Sequence, residues 1–157
     1  MKLTDLLTVD RVAVRTNGRA DLDKTGVIKL LASLLAHGAH VDDSVVAKVL
    51  LEREALQSTG IGEGVAIPHG ALAEVSEQVA ALVTVPQGIS FDAIDGEEVT
   101  ILIAVIGPKR ASGEHLKTLA RISRVLRNQE FRKRLLEATS PQEAYDALVA
   151  EEEATSR

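Results

Sequence analysis

Val99-Thr100-Ile101-Leu102-Ile103-Ala104-Val105-Ile106 is an almost unbroken apolar run with Thr100 as its one polar member, bounded by Asp95-Gly96 before it and Gly107-Pro108 after it. Branching at Cβ favours the extended chain, and a run without polar alternation reads as a strand covered on both faces. Residues 79–85, Val-Ala-Ala-Leu-Val-Thr-Val, form a similar run that ends at Pro86-Gln87-Gly88. Two such strands call for a sheet with helices on either side. The predicted fold class is α/β, one domain with a mixed central sheet flanked by helices.

The flanking sequence supplies those helices. Asp21 or Asp23 can start a helix whose Val27, Leu30, Leu31, Leu34 and Leu35 make an apolar stripe, with Gly38 placed to end it. A second helix is expected from about Asp42 to Leu56, capped by Asp42 and striped by Val45, Val46, Val49 and Leu50. Arg11-Val12-Ala13-Val14-Arg15 alternates as a short edge strand does. After Ser112, read as a cap by residue type, Leu116, Leu119, Ile122 and Leu126 mark a helix, and Phe131, Leu135 and Leu136 mark another. Ser140-Pro141 offers an N-cap and a first-turn proline for a last helix carrying Tyr145 and Leu148. The domain is expected over residues 1–150, and residues 151–157 are read as a flexible tail.

Composition narrows the function. The chain has 157 residues, a formal net charge of −5 and no cysteine. Disulfides, thiolate catalysis and zinc–thiolate sites are excluded, and a broadly basic surface for nucleic acid or anionic membrane is absent. Aromatic residues are 2% of the chain, which leaves little for stacking bases. No run is long enough to insert in a membrane and the N-terminus lacks a signal-peptide core, so a cytoplasmic location is expected.

The stretch richest in chemistry is Ser58-Thr59-Gly60-Ile61-Gly62-Glu63-Gly64-Val65-Ala66-Ile67-Pro68-His69-Gly70. A glycine-rich loop leads into a short strand that Pro68 stops just before an imidazole, and Gly70 is read as the point where the chain turns away. This stretch resembles the active-site segment of the enzyme IIA components of the bacterial phosphotransferase system, mannitol/fructose class, especially the nitrogen-regulatory branch. The resemblance spans most of the chain: Lys24-Thr25-Gly26-Val27-Ile28, Arg53-Glu54-Ala55-Leu56-Gln57-Ser58-Thr59-Gly60-Ile61-Gly62, Ile89-Ser90-Phe91-Asp92-Ala93-Ile94-Asp95-Gly96 and Glu114-His115-Leu116 follow in family order.

The resemblance implies a phosphoryl acceptor at His69, a functional arginine at Arg53, an auxiliary histidine at His115 and an acid at Glu63. The residues support parts of this independently. A neutral imidazole offers a lone pair near physiological pH, and phosphoryl transfer asks the protein mainly for alignment and for donors to the equatorial oxygens. Arg53 falls three residues after Leu50 and seven after Val46, which aims it along the apolar stripe; a fork donor to phosphate competes there with a snorkelling arginine. His115 at the head of a helix suits a neutral ring beside an anion, or a histidine bonded at the edge of the core. Glu63 can hold a histidine tautomer or be a solvated loop residue. Ser58 and Thr59 can donate to phosphate or simply shape the turn.

Other signals point away from alternative chemistries. Gly60-Ile61-Gly62-Glu63-Gly64 precedes a strand and lacks the Gly-Lys-Ser/Thr ending of a nucleotide loop. His37 and His40 are read as helix-end histidines, and no metal is inferred. The basic series Lys117, Arg121, Arg124, Arg127, Arg132, Lys133 and Arg134 is read mainly as a solvated face. The expected function is a phosphoryl-carrier and regulatory protein taking phosphate from a phosphohistidine carrier protein, without cofactor. Lack of a transporter or IIB-like segment in this sequence favours a stand-alone regulator, with regulatory target proteins as further partners. The alternatives are a sugar-specific subunit passing phosphate to a transporter IIB component, and a non-catalytic binding module.

Overall fold

The computed structural model describes residues 2–14 and 22–155. Among them are five α-helices, α1 Lys24–Ala39, α2 Asp43–Leu56, α3 Ser112–Val125, α4 Gln129–Glu137 and α5 Pro141–Thr155. Six strands accompany them: β1 Val12–Ala13, β2 Gly60–Gly62, β3 Val65–Ala66, β4 His69–Leu72, β5 Val79–Ile89 and β6 Val99–Pro108. They form one sheet in the order β1-β5-β6-β3-β2, with β4 also paired to β6. The β1/β5, β3/β6 and β4/β6 pairs are parallel and the β5/β6 and β2/β3 pairs antiparallel, so the sheet is mixed.

β6 holds the apolar run of residues 99–106, and its two faces feed two cores. Leu102, Ala104 and Ile106 meet Val27, Leu31, Leu35, Val46 and Leu50 of α1 and α2. Ile101, Ile103 and Val105 meet Ile122, Phe131, Leu135 and Leu148 of α3, α4 and α5. Burying both faces of one strand explains why its sequence does not alternate. The site-bearing strands β3 and β4 both hang on β6, with His69 opposite Val105.

Several local expectations are corrected. α1 does not end at Gly38: it runs through Ala39 to a left-handed His40 at φ 58°, and the missing side chain of the helical Gly38 makes room for Arg11, which lies 2.7 Å from where a Cβ would stand. Its N-cap is Asp23, whose carboxylate accepts the Gly26 N–H at 2.8 Å; Asp21 lies outside the described residues. β1 covers Val12 and Ala13, and Arg15 of the expected strand is likewise outside the described residues. β5 passes through Pro86-Gln87-Gly88, with its register shifted between Thr84 and Ile89. Ser112 is the first residue of α3, and Ala111 is its cap.

The expected tail is helical as far as Thr155, with Glu151 and Glu152 buried; residues 156 and 157 are outside the described set. Glu152 accepts the backbone N–H groups of Leu3 (2.7 Å) and Thr4 (3.0 Å) and pairs with Arg121 at 3.0 Å. Glu151 pairs with Arg134 at 2.8 Å. The acidic end of the chain is thus the counter-charge that fixes the N-terminal turn and part of the basic series against α5. Tyr145 adds a hydroxyl donation to the Thr4 carbonyl at 3.4 Å. Among the described residues, no helix is long and apolar enough to cross a membrane.

Candidate active site

Pro68 and Gly70 set the imidazole of His69 by opposite means. The Pro68 carbonyl accepts the Val105 N–H at 3.0 Å, which locks the strand start to β6. Gly70 lies within β4 instead of turning the chain away; a Cβ there would overlap Val49 Cγ1, so its missing side chain lets α2 approach. One turn earlier, the Ile67 N–H donates to the Thr59 carbonyl at 3.0 Å. The Ile67 carbonyl in turn lies 2.7 Å from His69 Nδ1. A carbonyl only accepts, so Nδ1 carries the proton and Nε2 keeps the lone pair.

His69 is half-buried in a cleft lined by Arg53, Ser58, Thr59, Ile61 and Ile94 on one side and Leu119, Ala120 and Ser123 of α3 on the other. Burial is the main force lowering its proton affinity from the ordinary value of 6.5; the Ile67 bond and Glu54 oppose it and the Arg53 charge adds to it. The ring is therefore neutral and its lone pair available at pH 7. His115 stands in the first turn of α3, its ring centroid 5.6 Å from that of His69 at an interplanar angle of 52°. Burial, then His69, lowers its proton affinity too.

Arg53 lies in the last turn of α2, beside the buried stripe and not on it. Its Nη1 donates to the Gln57 carbonyl at 2.8 Å, which leaves further N–H groups of the planar fork for an anion in the cleft. The buried stripe itself continues Val46, Leu50, Glu54. The Glu54 carboxylate accepts the Thr59 N–H at 3.0 Å and its hydroxyl at 2.5 Å, and pairs with Lys24 at 3.1 Å. Lys24 also sits 4.8 Å over the Phe91 ring and pairs with Asp92. The sequence reading missed Glu54 and Lys24, although the four-residue step from Val46 through Leu50 to Glu54 marks the position as inward.

The other expected site residues fare differently. Ser58 and Thr59 line the cleft, but the Ser58 hydroxyl donates to the Phe91 carbonyl at 2.8 Å and Thr59 is spent on Glu54. The Gly60 N–H is taken by Ser58 Oγ at 3.1 Å. Both residues shape the loop in this conformation and neither hydroxyl is free to donate. Glu63 turns the β2–β3 hairpin at φ 59°, and its carboxylate pairs with Arg132 at 3.1 Å instead of holding either histidine. Thus His69 and Arg53 line one cleft, the His115 ring stands beside that of His69, and Glu63 belongs to a neighbouring surface. Among the described residues no cluster of His, Asp and Glu could hold a metal ion.

A family model described as phosphoenolpyruvate-dependent sugar phosphotransferase system, EIIA 2, matches residues 8–151. The nitrogen regulatory protein of Bradyrhizobium diazoefficiens is 33% identical over 150 residues, covering 94% of this chain and 95% of that protein. The fructose-specific EIIA component of the phosphotransferase system of Haloferax volcanii is 34% identical over 149 residues, covering 94% and 97%. Among solved structures, nitrogen regulatory protein IIA-Ntr from Neisseria meningitidis is similar with a TM-score of 0.85 and 28% identity, covering 93% of this chain and 98% of that one. IIA mannitol from Escherichia coli shares the fold at a TM-score of 0.74 and 23% identity, covering 90% and 97%.

Proposed function

Because the chain belongs to the EIIA 2 family of the phosphoenolpyruvate-dependent sugar phosphotransferase system, we propose that it is a cytoplasmic phosphoryl carrier that forms a phosphohistidine at His69. The observation that carries this reading is the 2.7 Å contact of His69 Nδ1 with the Ile67 carbonyl, which leaves Nε2 as a fixed lone pair in the cleft beside Arg53. The donor is a phosphohistidine carrier protein. Its P–N bond breaks as a P–N bond forms at Nε2 of His69, while Nδ1 keeps its proton, so no separate base is needed. Arg53 donates to the equatorial oxygens, and His115 orients the group from the facing helix. Ile61 and Ile94, exposed on the cleft lining, offer an apolar landing for the partner protein.

Intact-mass detection of an acid-labile phosphoryl adduct, with the complete upstream relay supplied, tests this directly. Wild type gains one phosphoryl group and His69→Ala gains none; an adduct persisting in the variant overturns the assignment.

The regulatory role is supported by the likeness to the two nitrogen regulatory proteins over nearly their full lengths. A sugar-specific relay is the second reading, favoured by the comparable likeness to the fructose-specific component. Fast discharge of phosphorylated protein to one sugar-specific IIB domain would establish the relay, and retention of the phosphoryl group against such domains the regulator.

A further inference from the structure

Among the described residues, two buried side-chain polar atoms lack a hydrogen-bond partner: Oε1 of Gln78 and Nδ1 of His115. They flank the same glycine. Val79 stands opposite Ile106 in the antiparallel β5/β6 pair, which sets Gln78 across from Gly107. A Cβ at Gly107 would lie 3.1 Å from Gln78 Cγ and 3.5 Å from His115 Nδ1. The absent side chain leaves a space bordered by the Gln78 side chain and the His115 ring. Gln78 is only 8% exposed, and buried polar groups left unpaired in this way are rare and costly.

One bond satisfies both atoms. An amide oxygen can only accept, and an imidazole nitrogen donates when protonated, so Nδ1–H of His115 to Oε1 of Gln78 completes the pair once the two side chains rotate toward one another. We propose that Gln78 is a positioning residue whose carbonyl holds the proton of His115 on Nδ1, so that this ring, like that of His69, presents an unprotonated Nε2. The role rests on the phosphoryl-carrier reading. Among the described residues, the titratable side chain acting on His115 is His69 on β4. When phosphate reaches His69, the added negative charge draws a proton from solvent onto Nε2 of His115. That proton is donated to a phosphoryl oxygen while the Gln78 carbonyl continues to accept from Nδ1, and it returns to solvent when the group leaves.

The test is the histidine tautomer, read by nitrogen–proton multiple-bond NMR on the unphosphorylated full chain. Wild type shows His115 with its proton on Nδ1, the minor form of a free imidazole. Gln78→Leu moves it to Nε2, with His69 still protonated on Nδ1 as the control for an intact site. Gln78→Glu, whose carboxylate also accepts, restores the Nδ1–H form. Phosphoryl-transfer rate falls about tenfold in Gln78→Leu, the low end of the loss seen when the partner that orients a metal-bound histidine is removed. Should Gln78→Leu not fold, Gln78→Met carries the same comparison at conserved length. His115 protonated on Nε2 in wild type, or one tautomer in wild type and variant alike, overturns the proposal. An Nδ1–H signal in a chain that takes no phosphate from a competent donor keeps the hydrogen bond and overturns the carrier function it serves.

Discussion

Arg53 and Glu54 are neighbours in sequence and push His69 in opposite directions, the guanidinium disfavouring its protonated form and the carboxylate favouring it. Their side chains also divide the labour: Glu54 turns inward to fix the loop through Thr59, while Arg53 stays at the cleft with one nitrogen tied to Gln57. Arg53→Lys keeps the charge and loses the planar fork, and the rate of phosphoryl transfer measured by rapid quench is expected to fall about 100-fold. An unchanged rate would remove the fork from the mechanism. Lys24→Met leaves the buried Glu54 with one fewer charged donor and lowers unfolding free energy by about 2 kcal/mol in urea titration. Arg53 was singled out by helix phase from Val46 and Leu50 and His69 by its place after a glycine-rich lead-in, both together with the family resemblance. Glu54 escaped because the stripe from Val46 and Leu50 was continued to Arg53, whereas the four-residue step puts Glu54 on the buried face. Gln78 had no sequence signal; its meaning comes from strand register and the packing of α3.

Pairs of elements meet where a single residue type permits it. α2 reaches β4 only because residue 70 is glycine, so Gly70→Ala should cost about 1–3 kcal/mol by overpacking against Val49 and displace His69, read together as a lower urea midpoint and slower phosphorylation. α5 holds the N-terminal turn through one carboxylate. Glu152→Ala removes the acceptor for two backbone N–H groups and strands Arg121, for an expected loss of about 3–5 kcal/mol, with hydrogen exchange accelerating first at Leu3 and Thr4. Strands 79–85 and 99–106 were legible because an apolar run between turn residues has few alternatives. The end of α5 was not, since Glu151-Glu152-Glu153 reads as solvated until the cations and backbone donors that neutralise it are seen. The helix α3 shows the same limit: Leu116 was expected in its stripe yet is 67% exposed, because Thr118, Ile122 and Val125 take the buried face and turn His115 to the cleft edge.

Taken as one cooperative unit, the protein keeps two half-buried imidazoles below their ordinary proton affinity of 6.5. The unfolded chain therefore binds more protons than the folded one just below that value, and stability falls as pH drops through 6.5 toward the folded-state values. Melting temperature followed from about pH 7.5 to 5.5 should decline, and the decline should be shallower in the His69→Gln/His115→Gln double variant, whose site no longer titrates there. Identical slopes would place the coupling elsewhere.

The bond from Tyr145 to Thr4 has a spectroscopic consequence. The chain has one tyrosine and no tryptophan, so its intrinsic ultraviolet emission comes from the seam between α5 and the N-terminal turn. Emission recorded during denaturation therefore follows the parting of that seam, and the proposed loading of His69 with phosphate calls for an added fluorophore to be seen by light.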